Sequence, residues 1–228
     1  MKEKTVDRGH YAETPLPQDA VRVSAGETLS VCAAPSRAMH YVLEAGSSLE
    51  LCLLMLPGSE KEVEVSVDFT GPGASADLSG VYVRSAQEPL SLKVCVRHRV
   101  GGCSSHQTFN GIVAGDAGTA FDGRIVVAPG ALGTKAFQEN HNLLLSSSAR
   151  AETRPQLEIY ADDVECSHGA TVGFLNDDEL FYMRSRGVPE AEARALQMIS
   201  FLSPVLPHVP ADRRDEVSAL LEDTVRHL

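Results

Sequence analysis

A cysteine and a histidine stand two residues apart in the stretch EIYADDVECSHGATVG, which spans residues 158–173. In an extended strand the side chains of residues i and i+2 point to the same face, so Cys166 and His168 are predicted to lie side by side. A thiolate and an imidazole together suit iron, zinc or an iron–sulfur intermediate. Two ligands are too few for a stable metal site, so the others must come from elsewhere in the chain, a partner or the cargo. A buried free cysteine beside a hydrogen-bonded histidine is the alternative that these residues alone leave open.

Three further patterns resemble a known site in sequence but lack the spacing or structural context that the site needs. GPGASA, residues 71–76, has the spacing of a dinucleotide-binding turn, but a strand follows it where that site needs a helix N-terminus. GALGTK, residues 130–135, lacks the spacing of a phosphate-binding loop. The adjacent acids Asp162 and Asp163 suggest acid–base catalysis in a sugar-cleaving β-helix enzyme, yet neighbouring residues of a strand point to opposite faces. Such acids are more typical of solvated positions.

Composition and charge limit the classes of protein to which the chain can belong. With 228 residues, of which 43% are hydrophobic, it can form one substantial core plus an appendage. The formal charge of −11 repels phosphate backbones and anionic lipid, so neither nucleic acid nor a membrane is an expected partner. The longest apolar run, residues 49–56, is too short to span a bilayer, and MKEKTVDRGH at the N-terminus has no signal-peptide core. Five scattered cysteines fit free thiols in a reducing compartment, which predicts a soluble cytoplasmic protein.

The chain divides into three parts by pattern. Residues 1–20 are polar and contain two prolines, which indicates an arm. Residues 21–175 alternate short apolar runs with turn signals, and no amphipathic helix fits between them. The predicted strands lie at residues 49–56, 63–69, 81–83, 90–96, 112–114, 125–128, 143–145 and 157–160. This all-β pattern leaves a sandwich, a barrel or a β-solenoid. Short runs, many small residues and an aromatic content of only 5% favour the solenoid without deciding among the three.

After residue 175 the apolar spacing changes to that of helices. Helices are predicted over residues 177–186, residues 189–203 and the residues that follow Pro210. Asn176 can cap the first of them, with Glu179 completing a capping-box-like arrangement. Helices this short are not stable alone, so the segment 176–228 must pack on the strands or on another protein.

One long region resembles a known family. Residues 137–188, FQENHNLLLSSSARAETRPQLEIYADDVECSHGATVGFLNDDELFYMRSRGV, are similar to the signature region of the SufB/SufD family, the scaffold proteins of the SUF iron–sulfur cluster assembly system. The motifs NLLLS, LEIYADDV, CSHGATVG and LFYMRSRG occur in that order. The Cys-x-His-Gly form from Cys166 to Gly169 resembles the SufD branch more than the SufB branch, which typically has a glutamate in the corresponding region.

The resemblance implies a right-handed parallel β-helix over residues 21–175, followed by a small C-terminal α-helical segment over residues 176–228. It implies pairing through the β-helix with a SufB-type paralogue or a second copy, which makes a dimer. It also implies docking of a SufC-type ABC ATPase through the C-terminal helices. The cluster would be built at the paired interface, where Cys166 and His168 are metal ligands shared with the partner and His168 lies near a partner cysteine.

The sequence therefore predicts a non-enzymatic, SufD-like scaffold subunit of a cluster assembly complex. No cofactor is expected to stay bound to the chain alone, whereas iron or an iron–sulfur cluster is expected transiently at the interface. A β-helix polysaccharide lyase or hydrolase is the alternative, but such an enzyme is normally secreted with aromatic platforms for sugars, and this sequence has no tryptophan. Family members carry a sizeable N-terminal helical domain that residues 1–20 cannot supply. The remaining cysteines match no family motif: Cys32, Cys52, Cys95 and Cys103.

Overall fold

Twelve β-strands followed by a helical segment form the chain in the computed structural model, which describes residues 11–228. The strands are β1 (Val21–Val23), β2 (Thr28–Ala33), β3 (Ala38–Leu43), β4 (Ser48–Met55), β5 (Glu62–Phe69), β6 (Ser75–Arg84), β7 (Pro89–His98), β8 (Ser104–Val113), β9 (Gly118–Val127), β10 (Thr134–Leu144), β11 (Arg150–Ile159) and β12 (Val164–Phe174). The helices are α1 (Asp177–Ser185), α2 (Glu190–Leu202) and α3 (Arg214–Arg226), with a 3₁₀ helix at Ser203–His208 between the last two. Within residues 11–228, no helix is long and apolar enough to cross a membrane.

The strands wind into a two-sheet solenoid. Odd-numbered strands form one sheet in the order β1-β3-β5-β7-β9-β11, and even-numbered strands form the other in the order β12-β10-β8-β6-β4-β2. Every pair of neighbours is parallel, because the strand of the other sheet serves as the crossover between them. Each rung therefore stacks on the one before it. The predicted all-β solenoid followed by helices is confirmed, and the sandwich and the barrel are excluded.

A column of glycines makes one of the turns in successive rungs. Gly46, Gly73, Gly102 and Gly133 all have a positive φ, between 65° and 74°, which side chains with a Cβ rarely adopt. A Cβ on Gly133 would lie 3.8 Å from the backbone nitrogen of Gly102, so these turns also stack closely. The same turn recurs once per rung, and the glycine column is the clearest trace of the repeat in the sequence.

The inward positions change from aliphatic to polar along the solenoid. Side chains of β5 and β6 that fill the first rungs are at most 3% exposed: Val63, Val65, Val67, Ala76 and Leu78. The later strands β8 and β10 bury amides instead: Gln107, Gln138, Asn140 and Asn142. These polar positions interrupt the apolar pattern. In this region the apolar pattern therefore predicts strands only at residues 112–114 and 143–145. These overlap the C-terminal ends of β8 and β10, which are ten and eleven residues long.

The helical segment packs on the outer face of the even-numbered sheet. Val81 of β6 belongs to one buried cluster with Met198 of α2 and Val205 of the 3₁₀ helix. A hydrogen bond also joins the two parts, since Asn110 Nδ2 of β8 donates to the Phe201 carbonyl oxygen at 2.7 Å. The helices and the outer face of the sheet thus form a second buried cluster, separate from the one inside the solenoid.

The third helix covers its own apolar face within this chain. It begins at Arg214 rather than directly after Pro210, because a turn closed by the Arg213 N–H and the Pro210 carbonyl, 2.9 Å apart, comes first. Three of its apolar residues, Val217, Leu221 and Val225, are buried in the cluster that includes α2, whereas Leu220 is exposed. Little of the apolar face of α3 is left for another protein.

The first helix is capped as predicted, but without the reciprocal bond of a capping box. Asn176 Oδ1 accepts from the backbone N–H groups of Asp178 and Glu179, at 3.0 and 3.2 Å. The Asn176 N–H donates to Gln197 Oε1 of α2 at 3.2 Å, not to Glu179. Glu179 Oε1 instead accepts from the Asn176 side-chain Nδ2 at 3.3 Å, so the predicted pairing of these two residues is present without the reciprocal backbone bond of a capping box.

The segment before β1 lies against the odd-numbered sheet. The rings of Tyr11 and Tyr160 meet edge to face at 5.3 Å, and Arg99 Nη2 donates to the Thr14 carbonyl oxygen at 2.6 Å. Residues 1–10 of the predicted arm lie outside the described residues.

Candidate functional site

The cysteine and the histidine of the CSHG stretch lie in β12, the last strand of the even-numbered sheet. This strand pairs with β10 on one side, and no strand of the described chain pairs with its other side. Its free edge presents backbone N–H and C=O groups that another strand can bind. In register, Cys166 neighbours Ala136 and His168 neighbours Gln138. The strand order thus places this stretch at an edge of the solenoid.

Both side chains belong to the face of the sheet that encloses the core. The β10 residues beside them, Ala136 and Gln138, are 0% and 1% exposed. The alternate positions face outward, where Lys135 Nζ and Glu165 form an exposed ion pair at 3.2 Å. The thiol and the imidazole therefore continue two inner columns of the solenoid, on one shared face.

The end of the solenoid beyond these two residues has no covering rung in the described chain. β11 is the matching edge strand of the odd-numbered sheet. Its inward residues are only half-buried: Thr153, Pro155, Leu157 and Ile159. Their neighbours one rung earlier are at most 2% exposed: Phe121, Ile125 and Val127. Repeat proteins ordinarily cover such an end, since it leaves core surface in water.

The two candidate ligands have different surroundings. Cys166 is half-buried and packs against an apolar cluster that includes Ile125 and Leu157. Burial raises the pKa of the Cys166 thiol, and a hydrogen bond from the backbone of Ala136 offsets this only in part. His168 is exposed and makes no hydrogen bond to the described residues. In the chain alone the cysteine is a protonated thiol, whereas the imidazole is accessible to a ligand.

The glycines of β12 have no structural requirement within this chain. A Cβ added to Gly169 or Gly173 would meet no atom within 4 Å, and neither residue has a positive φ. Other side chains would therefore fit at both positions. Both glycines lie on the outward-facing side of the edge strand, where their lack of a side chain leaves room for a closely approaching backbone.

No group of three or more histidine, cysteine, aspartate or glutamate side chains within residues 11–228 is arranged to hold a metal ion. Cys166 and His168 stand as a pair. A metal bound here would need its other ligands from outside the described residues.

Comparison with known proteins assigns this arrangement to a family. The SufBD core domain of SUF system iron–sulfur cluster assembly matches residues 21–201, most of the chain. The chain belongs to the SufBD family. The resemblance found in the sequence is thereby confirmed, and it extends over the solenoid and α2 as well as over the signature region.

The SufBD relatives are longer than this chain. An iron–sulfur cluster assembly SufBD family protein of Mycobacterium leprae is 32% identical over 194 residues, which cover 81% of this chain and 50% of the relative. The iron–sulfur cluster assembly protein SufD of Escherichia coli is 35% identical over 147 residues, 64% of this chain and 35% of the relative. SufD of Bacillus subtilis is 28% identical over 219 residues, 89% of this chain and 50% of the relative. The chain spans half or less of the length of these proteins.

This SufBD chain also carries an apolar groove beside the end of β12. The groove has a volume of about 650 Å³, and its wall includes Phe174, Tyr182 of α1 and Leu196 of α2. Phe174 is 66% exposed and Tyr182 is 59% exposed, whereas Phe181 of α1, 74% exposed, does not line the groove. None of the residues of α1 is buried. The sequence analysis missed this groove, although the adjacent aromatics of α1 were a signal for it.

The cysteines without a family motif belong mostly to the packed interior of the SufBD core. All five cysteines are free thiols, as predicted. Cys32, Cys52 and Cys103 are buried, and burial raises the pKa of Cys52 to about 12. Burial also raises the pKa of Cys103, so the thiolate that a metal needs is disfavoured at Cys52 and Cys103.

Three other histidines have structural contacts. His98 is buried, with its Nε2 2.9 Å from Ser105 Oγ. His106 stacks on Phe137 with ring centroids 5.0 Å apart, and His141 bonds to a threonine of β12 at 2.8 Å. These contacts account for the three residues without a metal.

Proposed function

We propose that this chain is a non-catalytic, SufD-like scaffold subunit of an iron–sulfur cluster assembly complex. The observation that carries the proposal is the position of Cys166 and His168. They lie side by side on the edge strand of an uncovered solenoid end, in a family whose core domain is described by cluster assembly. A cluster under construction must be both held and released, and a site divided between two proteins allows both.

The incomplete ligand set supports a shared site. A tetrahedral iron or zinc site takes four ligands, and this chain offers two at the solenoid end. The partner brings the rest, so neither subunit holds the metal firmly alone. The cluster is cargo of the complex and not a resident group of this chain.

The pairing surface is the open end of the solenoid. The free edge of β12 can take a strand of the partner through backbone hydrogen bonds, and the half-buried residues of β11 supply apolar area beside it. A SufB-type paralogue or a second copy of this chain, each a solenoid with a matching end, fits this surface. Sedimentation of the chain alone and with a SufB-type protein distinguishes the two.

The docking surface for a SufC-type ATPase is the groove between α1 and α2. We expected docking through the C-terminal helices, and this groove is lined by three exposed apolar side chains: Phe174 at the end of β12, Tyr182 of α1 and Leu196 of α2. The apolar face of α3 is already buried against α2. Docking therefore depends on α1 and α2, and α3 supports them.

Reconstitution of the complex tests the ligand roles. His168→Ala should leave folding and pairing nearly unchanged, because the exposed imidazole buries little apolar area, yet it should sharply lower the iron and sulfide bound by the complex. Cys166→Ala should have a smaller effect, since a partner thiolate can replace the cysteine more readily than the imidazole. His141→Ala, which removes a histidine from the outer face of β10, is the matched control and should assemble normally. Normal cluster content in the His168→Ala complex defeats the ligand role.

A further inference from the structure

One inner column of the solenoid ends at a buried hydrogen-bond acceptor that has no donor among the described residues. The strand register stacks Leu78, Gln107, Gln138 and His168 in successive rungs. Gln138 is 1% exposed, and its Nε2 donates to Gln107 Oε1 at 2.8 Å. Gln138 Oε1 is buried and has no partner among the described residues. A buried acceptor without a donor destabilises the folded state, so a donor for this oxygen is expected nearby.

The surroundings of Gln138 leave few sources for that donor. On one side Gly123 of β9 faces the amide so closely that an added Cβ would lie 2.3 Å from Oε1. Pro155 neighbours Gly123 in the next rung and has no N–H to offer. His168 is the neighbour of Gln138 on β12, and adjacent strands are roughly 4.8 Å apart. An imidazole N–H at that position is within reach of the oxygen.

We propose that Gln138 is a positioning residue for His168. Its Oε1 accepts a hydrogen bond from one imidazole N–H, which fixes the tautomer of the ring. The other ring nitrogen, unprotonated, then faces the open end of the solenoid. Histidines that bind metals ordinarily donate their second N–H to a carbonyl or carboxylate in this way. The inference rests on the proposed function only for the use of that free nitrogen as a ligand.

The test is the tautomeric state of His168 in the full-length chain, without partner or iron. Nitrogen-15 spectra of histidine-labelled protein are recorded at pH 8, where an ordinary imidazole is neutral. We expect one dominant tautomer, with a ring N–H protected from solvent exchange and close to the Gln138 side chain. Gln138→Leu should change the tautomer ratio roughly fivefold, the population change that one hydrogen bond of about 1 kcal/mol produces.

Two further variants make the test specific. Asn140→Leu is the matched control, because Asn140 is also a buried amide of β10 but donates to the Tyr82 hydroxyl and lies beside Ala170. It should leave the His168 tautomer unchanged. Gly123→Ala retains every polar group and fills the space that the Gln138 amide occupies. It should change the His168 tautomer ratio as Gln138→Leu does, and it provides the same test if the leucine variant does not fold.

The possible results separate this inference from the function on which it rests. Absence of the protected N–H, a tautomer ratio unchanged in both Gln138→Leu and Gly123→Ala, or a proton on the outward nitrogen would overturn the role of Gln138. The last result would mean that the amide donates to the ring. None of these results bears on whether His168→Ala abolishes cluster assembly. Conversely, normal assembly by His168→Ala removes the ligand role and leaves the hydrogen bond in place.

Discussion

Tyr182→Ala should weaken binding of a SufC-type ATPase by roughly 70-fold without loosening the fold of this chain. Tyr182 lines the groove and is 59% exposed, and α1 buries none of its residues here. A large aromatic side chain covers roughly 200 Å² when fully buried, so a partner that covers this ring removes about 120 Å² from water. At about 25 cal/mol per Å², and allowing for the methyl group that alanine retains, the loss is about 2.5 kcal/mol. That free energy corresponds to roughly 70-fold in Kd.

The assay is calorimetric titration of the ATPase into each variant, with thermal unfolding of the variant as the check on folding. Leu220→Ala is the matched control. Leu220 of α3 is an exposed apolar residue of the same segment, 42% exposed, and it does not line the groove. It should bind with the wild-type Kd, and both variants should keep the wild-type Tm. Wild-type affinity of Tyr182→Ala would refute docking in the groove and the area argument behind it.

The interior of the solenoid and its open edge allow three more measurements. Burial lowers the pKa of His98 to about 4. Below about pH 6.5 the imidazole therefore binds a proton in the unfolded chain but stays neutral in the folded chain. Between about pH 6.5 and 4 the wild type should lose about 1.4 kcal/mol of stability per pH unit relative to His98→Phe in urea unfolding, and parallel pH profiles would contradict this. Tyr82→Phe should cost about 1–3 kcal/mol, because Asn142 Oδ1 loses the hydroxyl that donates to it at 2.5 Å; an unchanged urea midpoint would count against it. Gly169→Val should fold normally, since its Cβ meets no atom within 4 Å, yet should weaken pairing in sedimentation; unchanged pairing would mean that no partner backbone approaches there.

Local geometry made the candidate ligands predictable from sequence. The shared face of Cys166 and His168 follows from the period of an extended strand, and the cap at Asn176 follows from its position before a run of acids. The strands were harder to locate. Gln138 and Asn140 occupy inward positions where an apolar residue is expected, so the sequence pattern hides most of β10. The solenoid itself followed only from the resemblance to a family.

Features that depend on distant parts of the chain were not predictable. Gln197 Oε1 accepts a hydrogen bond from the Asn176 N–H only because α2 folds back onto α1. The groove beside Phe174 exists for the same reason. The uncovered end of β11 could not be read from its sequence either, since half-buried and buried positions of a strand carry the same kinds of residue. Periodicity describes which face a side chain takes, and it does not describe whether another rung covers that face.

The different surroundings of the two ligands assign them different parts in the proposed complex. Covering the solenoid end would bury Cys166 further, and burial already raises the pKa of its thiol. Its thiolate would then form only where a metal ion replaces the proton, because metal binding and thiol deprotonation are coupled. A neutral imidazole carries no charge to desolvate, so His168 can enter the covered interface as a ligand without that cost. On this reasoning the histidine prepares the site, and the cysteine joins it only when the cargo is present. This order is the physical reason why loss of His168 should impair assembly more than loss of Cys166.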